Sequence, residues 1–125
     1  MTNKTSQRLL VGILLILGVF AGLYAFKMQG AKGGDPVTGK VVYDTHCASC
    51  HGPTGLGDGP MANAVTNKPT NLAKKLDSLF SSDRILIEKV VMPGRMNLGM
   101  PAFEGIISAE EAKDSFAYLR SVNAE

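Results

Sequence analysis

Polar and apolar positions divide the chain into blocks of different character. Residues 1–8 are polar, with Lys4 and Arg8 the charged members, and Leu9 to Phe26 then runs 18 residues without a charge. As a helix that run spans roughly 27 Å at 1.5 Å per residue, close to the hydrocarbon thickness of a bilayer. Tyr24 and Phe26 fall at its far end, where aromatic rings favour the interface, and the basic residues ahead of it favour an N-terminus left in the cytoplasm. A cleaved secretory signal is the competing reading, with Val19-Phe20-Ala21 as the nearest cleavage site. The run is longer than the usual core of a signal, and no small-x-small site follows it. The pattern therefore predicts a cytoplasmic tail over 1–8 and a single-pass, uncleaved anchor over 9–26. Either reading exports the remainder of the chain.

Beyond the anchor, Gly and Pro punctuate a short flexible linker over 27–36. Val41, Val42 and Tyr43, with Lys40 and Asp44 free to face solvent, predict a helix from Thr38 to about residue 46. Gly39 is a weak helix former, so it marks either a helix start or a close approach by another helix. Residues 52–60 are too rich in Gly and Pro for helix or strand, and Asn63 to Leu79 reads as loop and short helix, with Lys74 and Lys75 solvated. Ser81-Ser82-Asp83 ahead of Ile85, Leu86, Ile87, Val90 and Val91 predicts a capped helix that stops before Pro93-Gly94. Ser108, followed by Glu110 and Glu111, opens a last helix. Its apolar face is Ala112, Ser115, Phe116, Leu119 and Val122, which leaves Lys113, Asp114 and Arg120 wet.

The 125 residues leave room for one domain after the anchor, over 37–125. Only 6% of residues are aromatic and none is Trp, so a large planar ligand would supply bulk that the core lacks. The formal charge of +2 resides at the N-terminus; from Asp35 onward there are nine Lys/Arg against eleven Asp/Glu. No clustered basic face points to nucleic acid.

The densest chemistry is Cys47-Ala48-Ser49-Cys50-His51, the attachment pattern of a c-type haem. Residues i, i+3 and i+4 share one face of a helical turn, so Cys47, Cys50 and His51 point towards a single flat object. Two thioether bonds can hold the porphyrin while the imidazole reaches the iron. A structural zinc site needs four ligands, whereas the chain offers Cys47, Cys50, His46 and His51 within six positions. A thioredoxin-like pair expects a βαβ surround that is absent here, and a plain disulfide leaves His51 without a purpose. His46, one position before Cys47, is expected to face away from the haem. The Gly/Pro loop that follows is expected to wrap the haem edge. A ligating imidazole gives its other N–H to a carbonyl, for which Pro60 or a near neighbour is the expected partner.

The second axial ligand is sought among Met92, Met96 and Met100, three methionines in nine residues of loop and not a core pattern. Met100 leads, because Gly99 and Pro101 hold it in extended chain; Met96 and Met92 are the alternatives. A thioether opposite histidine raises the reduction potential and closes the iron to exogenous ligands.

The chain resembles the class I c-type cytochromes over about Val37 to the end. The resemblance is carried by Gly39, Tyr43, Cys47-Ala48-Ser49-Cys50-His51-Gly52, Gly57-Asp58-Gly59-Pro60, Gly94, Gly99-Met100-Pro101-Ala102-Phe103 and Ala117-Tyr118-Leu119. It implies an all-α domain of three to five helices around one covalently bound haem c, with the first and last helices crossing near Gly39 and Tyr118. It also implies Cys47 and Cys50 as attachment points, His51 as proximal and Met100 as distal iron ligand. The function expected is one-electron transfer between redox protein donors and acceptors by a carrier that is not itself an enzyme. The cytoplasmic membrane would hold it, with the haem domain on the periplasmic or extracytoplasmic side. The alternatives are a subunit of a larger oxidase, reductase or dehydrogenase complex in the respiratory chain, and a haem-based sensor of small ligands.

Overall fold

The computed structural model describes residues 3–30 and 33–124. The chain divides into two compact units, Met1–Lys32 and Gly33–Glu125. The first is a single helix, α1 (Lys4–Gly30), which extends beyond both ends of the apolar run. Helix propagation adds one bond per residue once a nucleus exists, and Lys, Gln and Arg are good helix formers. The helix therefore includes Gln7 and Arg8 and continues to Gly30 in what the sequence suggested as linker; residues 31–32 of that linker lie outside the described residues. Its stretch Ser6–Tyr24 is long and apolar enough to cross a membrane. Leu10, Leu14, Leu17 and Phe20 are all more than half exposed. A helix that is apolar on every side has no amphipathic face to lay on a protein core.

The regular structure of the second unit is all helical, with no strand among the described residues. Helix α2 (Pro36–His46) begins two residues earlier than expected. The Asp35 carboxylate accepts from the Val37 N–H at 3.0 Å and the Thr38 hydroxyl at 2.6 Å, and Pro36 takes the first helical position. A proline costs nothing there, because that N–H has no intrahelical partner. Next come α3 (Ala48–His51), α4 (Leu72–Asp77), capped by Asn71, and α5 (Asp83–Leu86), which passes into a π-helical turn at Ile87–Val91. That turn closes with the Met92 N–H on the Ile87 carbonyl, before Pro93 as expected. A 3-10 turn over Met96–Leu98 and α6 (Ala109–Val122) complete the order.

The core forms where α2 crosses α6. Gly39 is buried, and a Cβ there would run into the Asp114 carbonyl, so close helix approach is the role of this glycine. One turn further, the Tyr43 and Tyr118 rings meet at 5.6 Å between centroids. Helix α6 starts with a full capping box. The Ser108 hydroxyl accepts from the Glu111 N–H, and the Glu111 carboxylate accepts from the Ser108 N–H at 2.7 Å. Ala112, Ser115, Phe116 and Leu119 are buried as their spacing predicts, but Val122 is exposed, lying in the last turn beyond the crossing.

Two polar expectations are overturned. Arg120 does not stay wet: its guanidinium forks onto both oxygens of Asp83, with Nη1 to Oδ2 at 2.8 Å and Nη2 to Oδ1. Asp83 is buried and ties α5 to α6, while Ser82 makes no capping bond. Asp114 likewise accepts from the Asp35 N–H at 2.7 Å and so secures the start of α2. Period and capping rules see one helix at a time, and both of these bonds join residues far apart in sequence.

Candidate haem-attachment site

The Cys-x-x-Cys-His stretch follows α2 directly, with Cys47 as a turn residue and Ala48–His51 as α3. The Cys47 N–H stays bonded to the Tyr43 carbonyl at 2.8 Å, and the Cys47 carbonyl accepts from the N–H groups of Cys50 and His51. Cys47, Cys50 and His51 therefore emerge on one side of a single turn, as their spacing requires. All three line one cavity of about 440 Å³, and both cysteines are free thiols.

The Gly/Pro loop serves the back of this turn and not the cavity. The N–H groups of Gly57, Gly59 and Met61 donate to the carbonyls of His51, Cys50 and Ser49 at 2.8–3.1 Å, covering the C-terminal end of α3. A Cβ on Gly59 would collide with the Ser49 and Ala48 carbonyls, and Gly52 leaves the turn at a φ of 79°. None of residues 52–64 lines the cavity, so the expectation of a loop wrapped around the haem edge is corrected. Four carbonyls at a helix end need donors, and a loop of small residues brings backbone donors close enough.

Pro60 is corrected with it. Pro60 is exposed and does not reach His51; the His51 Nδ1 lies 3.0 Å from the Thr70 carbonyl. A carbonyl can only accept, so Nδ1 carries the proton and Nε2 keeps a free lone pair. Burial lowers the His51 pKa, with the Thr70 bond opposing it, which keeps the ring neutral at pH 7. Burial likewise pushes the Cys47 thiol up to about 11, with Cys50 adding to the shift. Nothing local marks Thr70 as the partner, because it stands 19 residues from His51.

Of the three methionines only Met100 lines the cavity. Met96 is 74% exposed, and Met92 packs against the core outside the cavity wall. The loop that presents Met100 is closed at two levels. Arg95 and Met100 exchange N–H···O bonds at 2.8 and 3.1 Å, and the Met92 carbonyl accepts from both Phe103 and Glu104 at 3.0 Å. Gly94 and Gly99 both take positive φ, and a Cβ on Gly94 would strike Pro101 and Ala102.

His46 also departs from expectation. It lines the cavity and meets the Phe103 ring edge-on at 6.2 Å. The turn at Cys47 interrupts the helix, so a helical wheel carried through the motif assigns His46 to the wrong side. The remaining walls come from Leu72, Leu86, Val90, Val91, Ile107 and Phe116, with Lys68, Lys75 and Arg95 the basic members of the lining.

A cavity of this size with apolar walls and a few convergent polar groups is built for a ligand. Two free thiols that can form thioether links and a neutral imidazole with an open lone pair are the groups that attach a c-type haem, and a methionine thioether is one of the second ligands such a haem takes. Among the described residues no cluster of three His, Cys, Asp or Glu side chains is arranged for another metal. The fold and cavity thus define a small helical haem protein with covalent attachment. The cytochrome c family model matches residues 36–123. A cytochrome c6 of Nostoc sp. is 30% identical over 85% of this chain and 86% of its own length. Subunit CcoP of a cbb3-type cytochrome c oxidase of Azospirillum sp. is 29% identical over 79% of this chain, which spans only 33% of that subunit. Among solved structures, a chain of the reducing HAO-like protein complex of Kuenenia stuttgartiensis superposes with a TM-score of 0.59 at 28% identity, covering 72% of this chain and 43% of that one.

The chain belongs to the cytochrome c family; its cofactor is covalently bound haem c, and its function is electron transfer.

Proposed function

We propose that this protein is a membrane-anchored, monohaem electron carrier with His51 and Met100 as axial ligands and Cys47 and Cys50 as attachment points. The observation that carries the reading is the convergence of these four side chains on one cavity from which Met92 and Met96 are excluded. When bound, the haem supplies an iron that accepts and releases one electron. The Thr70 carbonyl holds the His51 ring in the tautomer that leaves Nε2 free. The doubly closed loop 92–104 holds Met100 towards the same cavity, so both ligand side chains are fixed before an electron arrives. Apolar walls from Leu86, Val90, Val91 and Phe116 keep water from the buried face, and Lys68, Lys75 and Arg95 offer positive groups to the haem carboxylates. In this reading residues 1–8 form a cytoplasmic tail, 9–26 span the cytoplasmic membrane, 27–36 connect, and 37–125 carry the haem on the extracytoplasmic side.

The test is the purified, haem-loaded chain in detergent. A redox titration is expected to follow a single one-electron wave, and the reduced protein to bind no carbon monoxide. Ready binding of carbon monoxide would replace the carrier by a sensor.

A second reading is favoured by the comparisons. CcoP and the HAO-like chain are both named as parts of larger assemblies. A subunit role predicts stoichiometric co-purification with a larger membrane complex in mild detergent, whereas a free carrier elutes alone.

A further inference from the structure

Between α4 and α5 the chain makes a tight turn, closed by the Ser81 N–H on the Ser78 carbonyl at 3.0 Å. The two residues at its tip are Leu79 and Phe80, 94% and 98% exposed. Neither lines the cavity and neither belongs to the core, so packing and haem binding leave both unexplained. Ile85, on the first turns of α5, adds a third apolar side chain at 60% exposure.

Charge around the tip is separated from that of the rest of the unit. Residues 68–95 carry six Lys/Arg against three Asp/Glu, a net of +3, while the remainder of 33–125 carries three against eight, a net of −5. Lys74 and Lys75 lie in the last turn of α4, which ends on the exposed Asp77, and Arg84 lies at the start of α5 on the other side of the tip. Lys89 follows in the π turn, and Lys74, Lys75, Arg84 and Lys89 are all exposed. Arg84 is shared with Glu88 at 2.8 Å.

We infer that the Leu79–Phe80 turn docks on an anionic lipid bilayer, its two apolar side chains entering the interfacial layer while the flanking cations meet lipid headgroups. A convex tip of two fully exposed apolar residues needs no complementary pocket in a fluid interface, whereas a protein partner would have to supply one. Basic residues near an anionic leaflet are attracted to it within a Debye length. The inference deepens the anchoring reading, since a chain whose α1 crosses a membrane brings this domain to a lipid surface.

The experiment uses the full, haem-loaded chain in vesicles of phosphatidylcholine and phosphatidylglycerol that carry a photoactivatable acyl chain, with adducts mapped by mass spectrometry. Adducts are expected on the 9–26 run and also at Leu79 and Phe80. The tip adducts should disappear in the double variant Leu79→Asn, Phe80→Asn while those on 9–26 persist. Because both side chains are exposed, the variant's Soret spectrum should match that of the parent. Replacing Lys74 and Lys89, which lie outside the cavity lining, by Gln should weaken tip labelling roughly fivefold for each cation engaged. Adducts confined to 9–26, with the tip left clean, would overturn the inference and return the surface to a protein partner. Tip adducts without any on 9–26 would sustain the docking and defeat the anchor.

Discussion

Removing the Asp83 carboxylate is the sharpest probe of how the domain holds together. Asp83→Ala leaves the Arg120 guanidinium beside the core without its partner, and its Nε already lacks one. The Asp83 side chain is 5% exposed and that of Arg120 24%. Breaking a buried ion pair from one side costs about 3–5 kcal/mol. Arg120 keeps some access to water, which places the loss near the lower end, at about 3 kcal/mol. For a unit of this size each kcal/mol lowers Tm by about 4–8 °C, so the variant should melt at least ~12 °C below the parent. Thermal unfolding followed by circular dichroism in the Soret region reads this directly. Replacing both partners by apolar residues, Asp83→Leu with Arg120→Met, should recover most of the loss, because no orphan charge remains. Arg84→Ala, which breaks an exposed pair, should leave Tm unchanged. A single-variant loss below about 1 kcal/mol, the range of an exposed pair, or a double variant as unstable as the single, would mean that the Asp83–Arg120 pair does not secure α5 to α6.

Three further outcomes are expected. Gly39→Ala places a methyl against the Asp114 carbonyl and should lower stability by about 1–3 kcal/mol, measured by denaturant melts; an unchanged midpoint would mean the crossing is looser than described. The bond from the Ser108 N–H is the main cause holding the Glu111 pKa below 4.5, so its contribution is present above that value and fades as pH falls through the folded pKa. Glu111→Gln should therefore flatten the acid limb of a Tm-against-pH curve, and an unaltered limb would assign acid lability elsewhere. Intact-mass measurement of membrane-extracted protein should include residues 9–26; a product beginning after Ala21 would make the run a cleaved signal.

Local rules recovered much of this molecule from sequence, and where they failed is informative. The Cys-x-x-Cys-His turn and, Val122 apart, the buried stripe of α6 follow from periodicity and spacing, whereas the crossing at Gly39 is what the resemblance to the class I c-type cytochromes implies. The start of α2 is also legible in the sequence, as the cap-and-proline signal Asp35-Pro36, which Gly33 and Gly34 ahead of it disguise as linker. What sequence hid was tertiary. Thr70 is 19 residues from His51, and Arg120 lies 37 beyond Asp83, so no local pattern couples them. The glycine loop misled for a different reason: glycines permit close approach without saying to what, and here the neighbour is the end of α3.

A methionine scan of the haem-loaded protein tests the proposed role of Met100 as the second iron ligand. In the oxidised state the sulfur-to-iron charge-transfer band should be lost in Met100→Ala, with a lowered reduction potential, and retained in Met92→Ala and Met96→Ala. A band that survives in Met100→Ala, or that vanishes in Met92→Ala or Met96→Ala, would move the ligand away from Met100.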